Sequence, residues 1–262
     1  MSLLVLENVY FSYKGKEVLK NINLSLEKGT IVSILGPNGS GKTTLLKLLL
    51  NILKPSKGII KFEGIPLNKI SPKMYAMKTA YVPQLHRESF AYKVIDVVLL
   101  GRLPYKSFFS PYSKYDYEIA LKSLEKLRIL HYKDRPYTDL SGGERQLVLI
   151  ARAITQGADI LVMDEPVNSL DYGNQYRILR QIMDLRDEGI TVILSTHFPD
   201  HAMIVSDRVI MMKNGSILDD GNPKDVINPE NIFNLYNIEV EVVSIENYGK
   251  ICIPKISLKN KN

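Results

Sequence analysis

At 262 residues, 45% hydrophobic and 24% charged, the chain has an ordinary globular composition and enough apolar material for one large α/β domain, with or without a subdomain. A single cysteine, Cys252, excludes a disulfide framework or a cysteine-based metal site within one chain and suits a reducing compartment. The net charge of +6 is spread over the sequence apart from a short tail with Lys255, Lys259 and Lys261, so it reads as a solvated surface and no nucleic-acid partner is expected.

Met1 to Val9 has neither the basic n-region nor the long apolar core of a secretory signal, and no later run approaches the length of a membrane span. Leu3 to Phe11 reads as a strand, and Val18 to Leu26 as another after the turn Lys14-Gly15-Lys16. A hairpin-like turn, Glu27-Lys28-Gly29, leads into the apolar strand Thr30 to Leu35. The Gly-rich stretch from Gly36 to Thr44 comes next, and the Leu-rich helix behind it is expected to end near Leu53, before Pro55 and Gly58. Gly58 to Glu63 and Thr79 to Val82 are short strands. From about Gln84 to about Gln156 the texture is helical. Val94 to Gly101 forms one short helix, and Tyr117, Ala120, Leu121, Leu124, Leu127 and Leu130 make a core-facing stripe on another. Ser141-Gly142-Gly143-Glu144 then opens an apolar helix.

Asp159 to Met163 is a buried strand ending in Asp164-Glu165-Pro166. Gln175 to Glu188 is an amphipathic helix closed by Gly189, and Ile190 to Ser195 is a strand ending at Thr196-His197. Arg208 to Met212 and Ile217 to Leu218 flank a turn at Asn214-Gly215. Strands, then helices, then a βαβ pattern suggest a helical insertion in a parallel-sheet domain.

Three stretches carry chemistry. Gly36-Pro37-Asn38-Gly39-Ser40-Gly41-Lys42-Thr43-Thr44 stands between a strand and a helix, the context of a phosphate-binding loop. Its glycines let backbone N–H groups curl around phosphate oxygens, and the helix start adds a positive dipole end. Lys42 would reach the β- and γ-phosphates, the Thr43 hydroxyl would ligate Mg²⁺, and Thr44 would lie near the α-phosphate. Asp164 and Glu165 end a strand that delivers carboxylates beside such a loop, one to hold Mg²⁺ and the other to orient and deprotonate water. Ser141 can cap a helix whose Gly142 and Gly143 expose N–H groups, a second anion cradle in the same chain.

With these residues in this order, the chain resembles the ATP-binding-cassette ATPases over about residues 3 to 236. The resemblance makes Gly36 to Thr44 the Walker A loop, Gln84 the Q-loop residue that contacts Mg²⁺ or water, and Leu140 to Gln146 the signature. It also makes Asp164 and Glu165 the Walker B acid and the catalytic base, Ser169-Leu170-Asp171 the D-loop, His197 the switch histidine and Tyr13 the ring that stacks on adenine. It departs at Val167, where Thr is more usual, and at Leu147, where Arg is common. It implies an α/β P-loop cassette with a parallel-sheet core, an N-terminal antiparallel β subdomain and a helical subdomain inserted at about 85–156, followed by a short extension from 237 to 262. It further implies ATP and Mg²⁺ as ligands and a head-to-tail homodimer, each ATP lying between the Walker A loop of one subunit and the signature of the other.

Gly101-Arg102-Leu103-Pro104, with Thr196-His-Phe-Pro-Asp-His201, is similar to motifs of the metal-chelate importer group, which carries iron–siderophore, haem, cobalamin or molybdate. This implies a peripheral subunit on the cytoplasmic face of the cell membrane, bound to a permease dimer and served indirectly by a substrate-binding protein. Residues 85 to 112, including Arg102 and Tyr105, are expected to form the surface that receives the permease. A non-transport cassette ATPase, acting in cluster assembly, repair or translation, is the alternative. The single cassette and the lack of a heptad run count against the translation and repair types.

Overall fold

The computed structural model describes residues 2–84, 91–107, 110–245 and 249–255. Lys14 and Gly15 take φ values of 45° and 85°, the left-handed pair that a two-residue hairpin turn needs. Strand β1 (Ser2–Tyr13) therefore folds straight back as β2 (Lys16–Glu27). With β4 (Lys57–Phe62) and β5 (Ile65–Pro66) they make an antiparallel sheet in the order β2-β1-β4-β5. The turn at Glu27-Lys28-Gly29 is not a hairpin, because β3 (Ile31–Leu35) enters a different sheet from β2.

That second sheet has the order β10-β9-β3-β8-β7-β6. Its strands are β6 (Thr79–Val82), β7 (Ile160–Asp164), β8 (Thr191–Thr196), β9 (Arg208–Lys213) and β10 (Ser216–Gly221) with β3; all pairings are parallel except β10 with β9. Its central strands are buried on both faces, as parallel strands are. Side chains alternate between two cores: Leu161 and Met163 face the helical side, while Ile160 and Val162 face the N-terminal sheet.

Helix α1 (Lys42–Leu49) follows β3. It stops well before Leu53 because Asn51 enters the left-handed region at φ 59°. The N–H groups of Asn51 and Ile52 then bond back to the Leu48 and Lys47 carbonyls, so the closing residue is Asn51 and not the later Pro55. Helix α2 (Pro72–Lys78) leads into β6.

Between β6 and β7 lie α3 (Val94–Leu99), a 3₁₀ segment at Leu100–Tyr105, α4 (Lys114–Lys126) and α5 (Gly142–Gln156). The α4 stripe buries Ala120 and Leu124, and Leu127 follows them into the core. Leu147 and Val167, the two departures from the family pattern, are also core residues. Helix α6 (Tyr172–Asp187) begins before the expected Gln175, because Asp171 caps it by accepting the Asn174 N–H at 2.9 Å. The chain closes with α7 (Pro199–Val205), α8 (Pro223–Val226), α9 (Pro229–Tyr236) and a hairpin of β11 (Val240–Ile245) and β12 (Gly249–Pro254).

The expected docking role of Arg102 needs correction. Its side chain is buried, with Nε donating to Asp116 Oδ1 at 3.0 Å and Nη1 to the Thr155 carbonyl at 3.1 Å, and it stacks on Tyr105. Gly101 makes this possible: a Cβ there would lie 2.2 Å from the Arg152 carbonyl, so only glycine lets the 3₁₀ segment press against α5. Tyr105 remains exposed. Residues 85–90 and 108–109 of the expected surface lie outside the described residues.

Candidate functional site

The order β3-β8-β7-β6 sets four chain segments side by side along the carboxyl edge of the sheet. They are the Gly-rich loop after β3, Thr196-His197 at the end of β8, Asp164-Glu165 at the end of β7, and Gln84 just past β6. A cleft of about 330 Å³ opens there, lined by Asn38, Lys42, Thr43, Gln84 and Glu165 with their neighbours; Asp164 and His197 do not line it, and His197 adjoins its Glu165. Val18 of β2 forms its outer wall.

The loop is shaped for an anion. Gly41 caps α1 at φ 104°, and a Cβ at Gly36 would lie 2.3 Å from the Met212 carbonyl. Ser40 is buried with its hydroxyl unpaired among the described residues, Thr43 is exposed, and Thr44 is buried at the first turn of α1. Lys42 is 5% exposed, and its ammonium donates to the Gly36 and Pro37 carbonyls at 2.7 and 3.2 Å. It also lies 3.4 Å from Glu165 Oε1. A buried ammonium next to a helix start, with an unpaired hydroxyl beside it, is a donor set that fits a polyphosphate.

The acids are held by a residue that motif reasoning passed over. Register pairs Asp164 with Ser195 on β8. The Ser195 hydroxyl donates to Asp164 Oδ1 at 2.6 Å and accepts the Glu165 N–H at 2.9 Å. Glu165 itself sits at φ 45°, a strained left-handed conformation that this bond helps to hold. Asn168 Nδ2 donates to Glu165 Oε2 at 3.0 Å, a second contact not foreseen. His197 Nδ1 lies 3.3 Å from the same oxygen but makes no hydrogen bond among the described residues. The Asp164 carboxylate, the Thr43 hydroxyl and the Gln84 amide are all oxygen donors at this edge, the hard ligand set that suits Mg²⁺.

Two groups of expected binding residues stand apart from this cleft. Tyr13 does not line it; the ring packs edge-on against Phe11 and is 42% exposed. Ser141, Gly142 and Gly143 do not line it either. Ser141 heads a capping box, accepting the Glu144 N–H at 3.4 Å while its own N–H donates to Glu144 Oε2 at 2.7 Å. A hydrogen bond from the Tyr132 hydroxyl, with the Ser141 bonds behind it, holds the Glu144 carboxyl below the usual range against the opposing effect of burial. Gly143 presses on Asn174 so closely that a Cβ would meet its side chain at 2.6 Å, which ties the start of α5 to the start of α6.

A second concavity, of about 470 Å³, opens between the end of α1, α2, the 3₁₀ segment and α5. Its rim carries the exposed apolar side chains Ile52, Leu100 and Leu103. Among the described residues, no helix is long and apolar enough to cross a membrane.

The ABC transporter family model matches residues 19–168. The iron(3+)-hydroxamate import ATP-binding protein of Bacillus subtilis is 32% identical over 263 residues, covering 100% of this chain and 98% of that one. The molybdate import ATP-binding protein of Haemophilus influenzae is 34% identical over 238 residues, covering 90% and 88%. Among solved structures, an inward-facing metal-chelate type ABC transporter superposes with a TM-score of 0.86 at 31% identity, covering 97% of this chain and 98% of that one.

Proposed function

Because the chain belongs to the ABC transporter family, as an ATP-binding subunit that hydrolyses ATP, we propose that it powers import of a metal chelate through a separate permease. The cargo class is iron–siderophore, haem, cobalamin or molybdate. The observation that carries this reading is the apolar concavity beside the Gly101–Pro104 segment, backed by the buried Arg102–Asp116 pair. Ile52, Leu100 and Leu103 give a permease segment an apolar seat, and Arg102 fixes that seat to α4 through Asp116 and to α5, the signature helix, through the Thr155 carbonyl. The cargoes for which the import relatives are named, molybdate and iron(3+)-hydroxamate, fall in the same group.

In this reading, residues 1–236 are the ATPase unit, with the insertion at about 85–156, and 237–262 are an extension. Two copies pair head to tail. Ser141, Gly142 and Gly143 lie outside their own cleft, which suits service to the ATP of the partner copy, with Tyr13 toward the adenine. Lys42 exchanges its loop carbonyls for the β- and γ-phosphates. Thr43, Asp164 and Gln84 would hold Mg²⁺, which supplies charge neutralisation on the phosphates when bound. Glu165 orients the water and takes its proton as the oxygen attacks the γ-phosphorus and the bond to the β–γ bridging oxygen breaks, releasing ADP and inorganic phosphate, while His197 and Lys42 balance the developing charge. The subunit acts on the cytoplasmic face of the membrane, and a substrate-binding protein delivers the cargo to the permease.

The test is capture and reconstitution. Tagged Glu165→Gln protein with ATP is used to isolate its partner from detergent-solubilised native membranes. The partner is then placed in liposomes with the unmodified subunit and supplied with ferric hydroxamate, haem, cobalamin or molybdate. ATP-dependent uptake of one of these is the expected result. A soluble partner, ribosome or DNA, with no membrane protein, would overturn the transport reading.

A further inference from the structure

The C-terminal elements carry none of the nucleotide motifs, yet they reach the histidine at the end of β8. Helix α9 ends at Tyr236, whose ring packs with Val242 and Cys252 against a core that includes Ala202, Val209, Val226, Ile232 and Leu235. The Tyr236 hydroxyl donates to the His197 carbonyl at 3.0 Å. Asn237, at φ 58°, then turns the chain into β11. Strand β12 returns along α7, and the Cys252 N–H donates to Asp200 Oδ1 at 2.8 Å. The segment 196–200 is thus pinned from the C-terminal side at two points, three residues apart. On its other side, the His197 ring lies 3.3 Å from Glu165 Oε2 and its Nδ1 has no hydrogen-bond partner among the described residues. The ring packs on Phe198 of the same segment, centroids 4.1 Å apart, so its position follows the main chain that carries both.

We infer that Tyr236 is a positioning residue for ATP hydrolysis: its hydroxyl fixes the His197 main chain, and through it the imidazole beside Glu165. The inference rests on the roles proposed above for His197 and Glu165. Burial, with smaller contributions from Glu165 and Cys252, pushes the Tyr236 phenol well above its ordinary value, so it stays a donor throughout the working pH range. The extension beyond residue 236 then serves as a clamp, because β11 and β12 pack on the same core as Tyr236 and β12 holds Asp200.

The experiment compares full-length parent, Tyr236→Phe, His197→Ala and the double variant in steady-state and single-turnover hydrolysis of Mg-ATP. Phenylalanine keeps the ring and its packing and removes only the hydrogen bond. The expected result is a fall in kcat of about five- to tenfold, with KM and ATP affinity within about twofold of the parent. In the His197→Ala background, Tyr236→Phe should cause no further loss. Unchanged kcat in Tyr236→Phe, a parallel loss of ATP affinity, or a further loss in the double variant would overturn the inference. Parent-level turnover by His197→Ala would instead remove the role of His197 on which it rests.

Discussion

Replacing Asp116 with alanine removes a carboxylate that gathers donors from three places. Arg102 Nε reaches Oδ1 at 3.0 Å; Lys106 Nζ, Ser113 N–H and Ser113 Oγ reach Oδ2 at 2.8, 2.8 and 2.7 Å. The Asp116 and Arg102 side chains are 5% and 10% exposed, so water cannot replace the lost partner. Two costs combine. Helix α4 loses half of its capping box, about 1 kcal/mol. The Arg102 guanidinium stays buried with the Thr155 carbonyl and the Tyr105 ring as its remaining partners, and breaking such a pair costs about 3 kcal/mol or more. Lys106 is left out, since its chain can swing toward water. The sum is about 4 kcal/mol. Removing the charge as well, in Arg102→Met with Asp116→Ala, should recover about half of it. Urea unfolding of the four members of this cycle, at constant m, gives the coupling directly. A loss below about 1 kcal/mol for the single variant, or strictly additive losses, would refute the reasoning.

The same carboxylate sets a pH dependence. The Lys106 bond first, then those from Ser113 and Arg102, hold the Asp116 carboxyl well below the usual range, although burial opposes them. A depressed native value means that the stabilisation is complete above the unfolded value near pH ~3.9 and is lost as pH falls through the folded value. The stability of the parent should thus fall more steeply below about pH 4 than that of Asp116→Asn, and the two curves should run parallel from about pH 5 to 8.

Three further outcomes are expected. Glu165→Gln should bind ATP as the parent does and lose turnover; normal steady-state hydrolysis would remove the base assignment. Ser195→Ala deletes the hydroxyl shared by Asp164 and the Glu165 N–H, so kcat should fall about tenfold with little change in KM, and a parent-level kcat would show that strand register alone positions the acids. Gly101→Ala sets a methyl 2.2 Å from the Arg152 carbonyl; the packing of the 3₁₀ segment on α5 should weaken by about 2 kcal/mol, read as a lower melting temperature, and an unchanged melting temperature would mean that this contact is loose.

The local chemistry of the chain determined much of this protein. Strand ends, the Gly-rich loop, the acids after β7 and the Ser141 cap all depend on residues within a few positions of one another. Periodicity and turn chemistry report such relations directly. Where a local signal was subtler, the boundary moved: Asn51 closed α1 ahead of Pro55, and Asp171 opened α6 ahead of Gln175. Only the tertiary structure decided the relations between distant segments. Strand order put β8 between β3 and β7, and register then set Ser195 level with Asp164, 31 residues away. Arg102 looked like a surface cation until α4 and α5 closed over it, and Tyr236, 39 residues from His197, carried no motif at all. Each of these contacts forms only when the chain collapses around a shared core, where burial makes a missing partner costly, and no short window of sequence contains both partners.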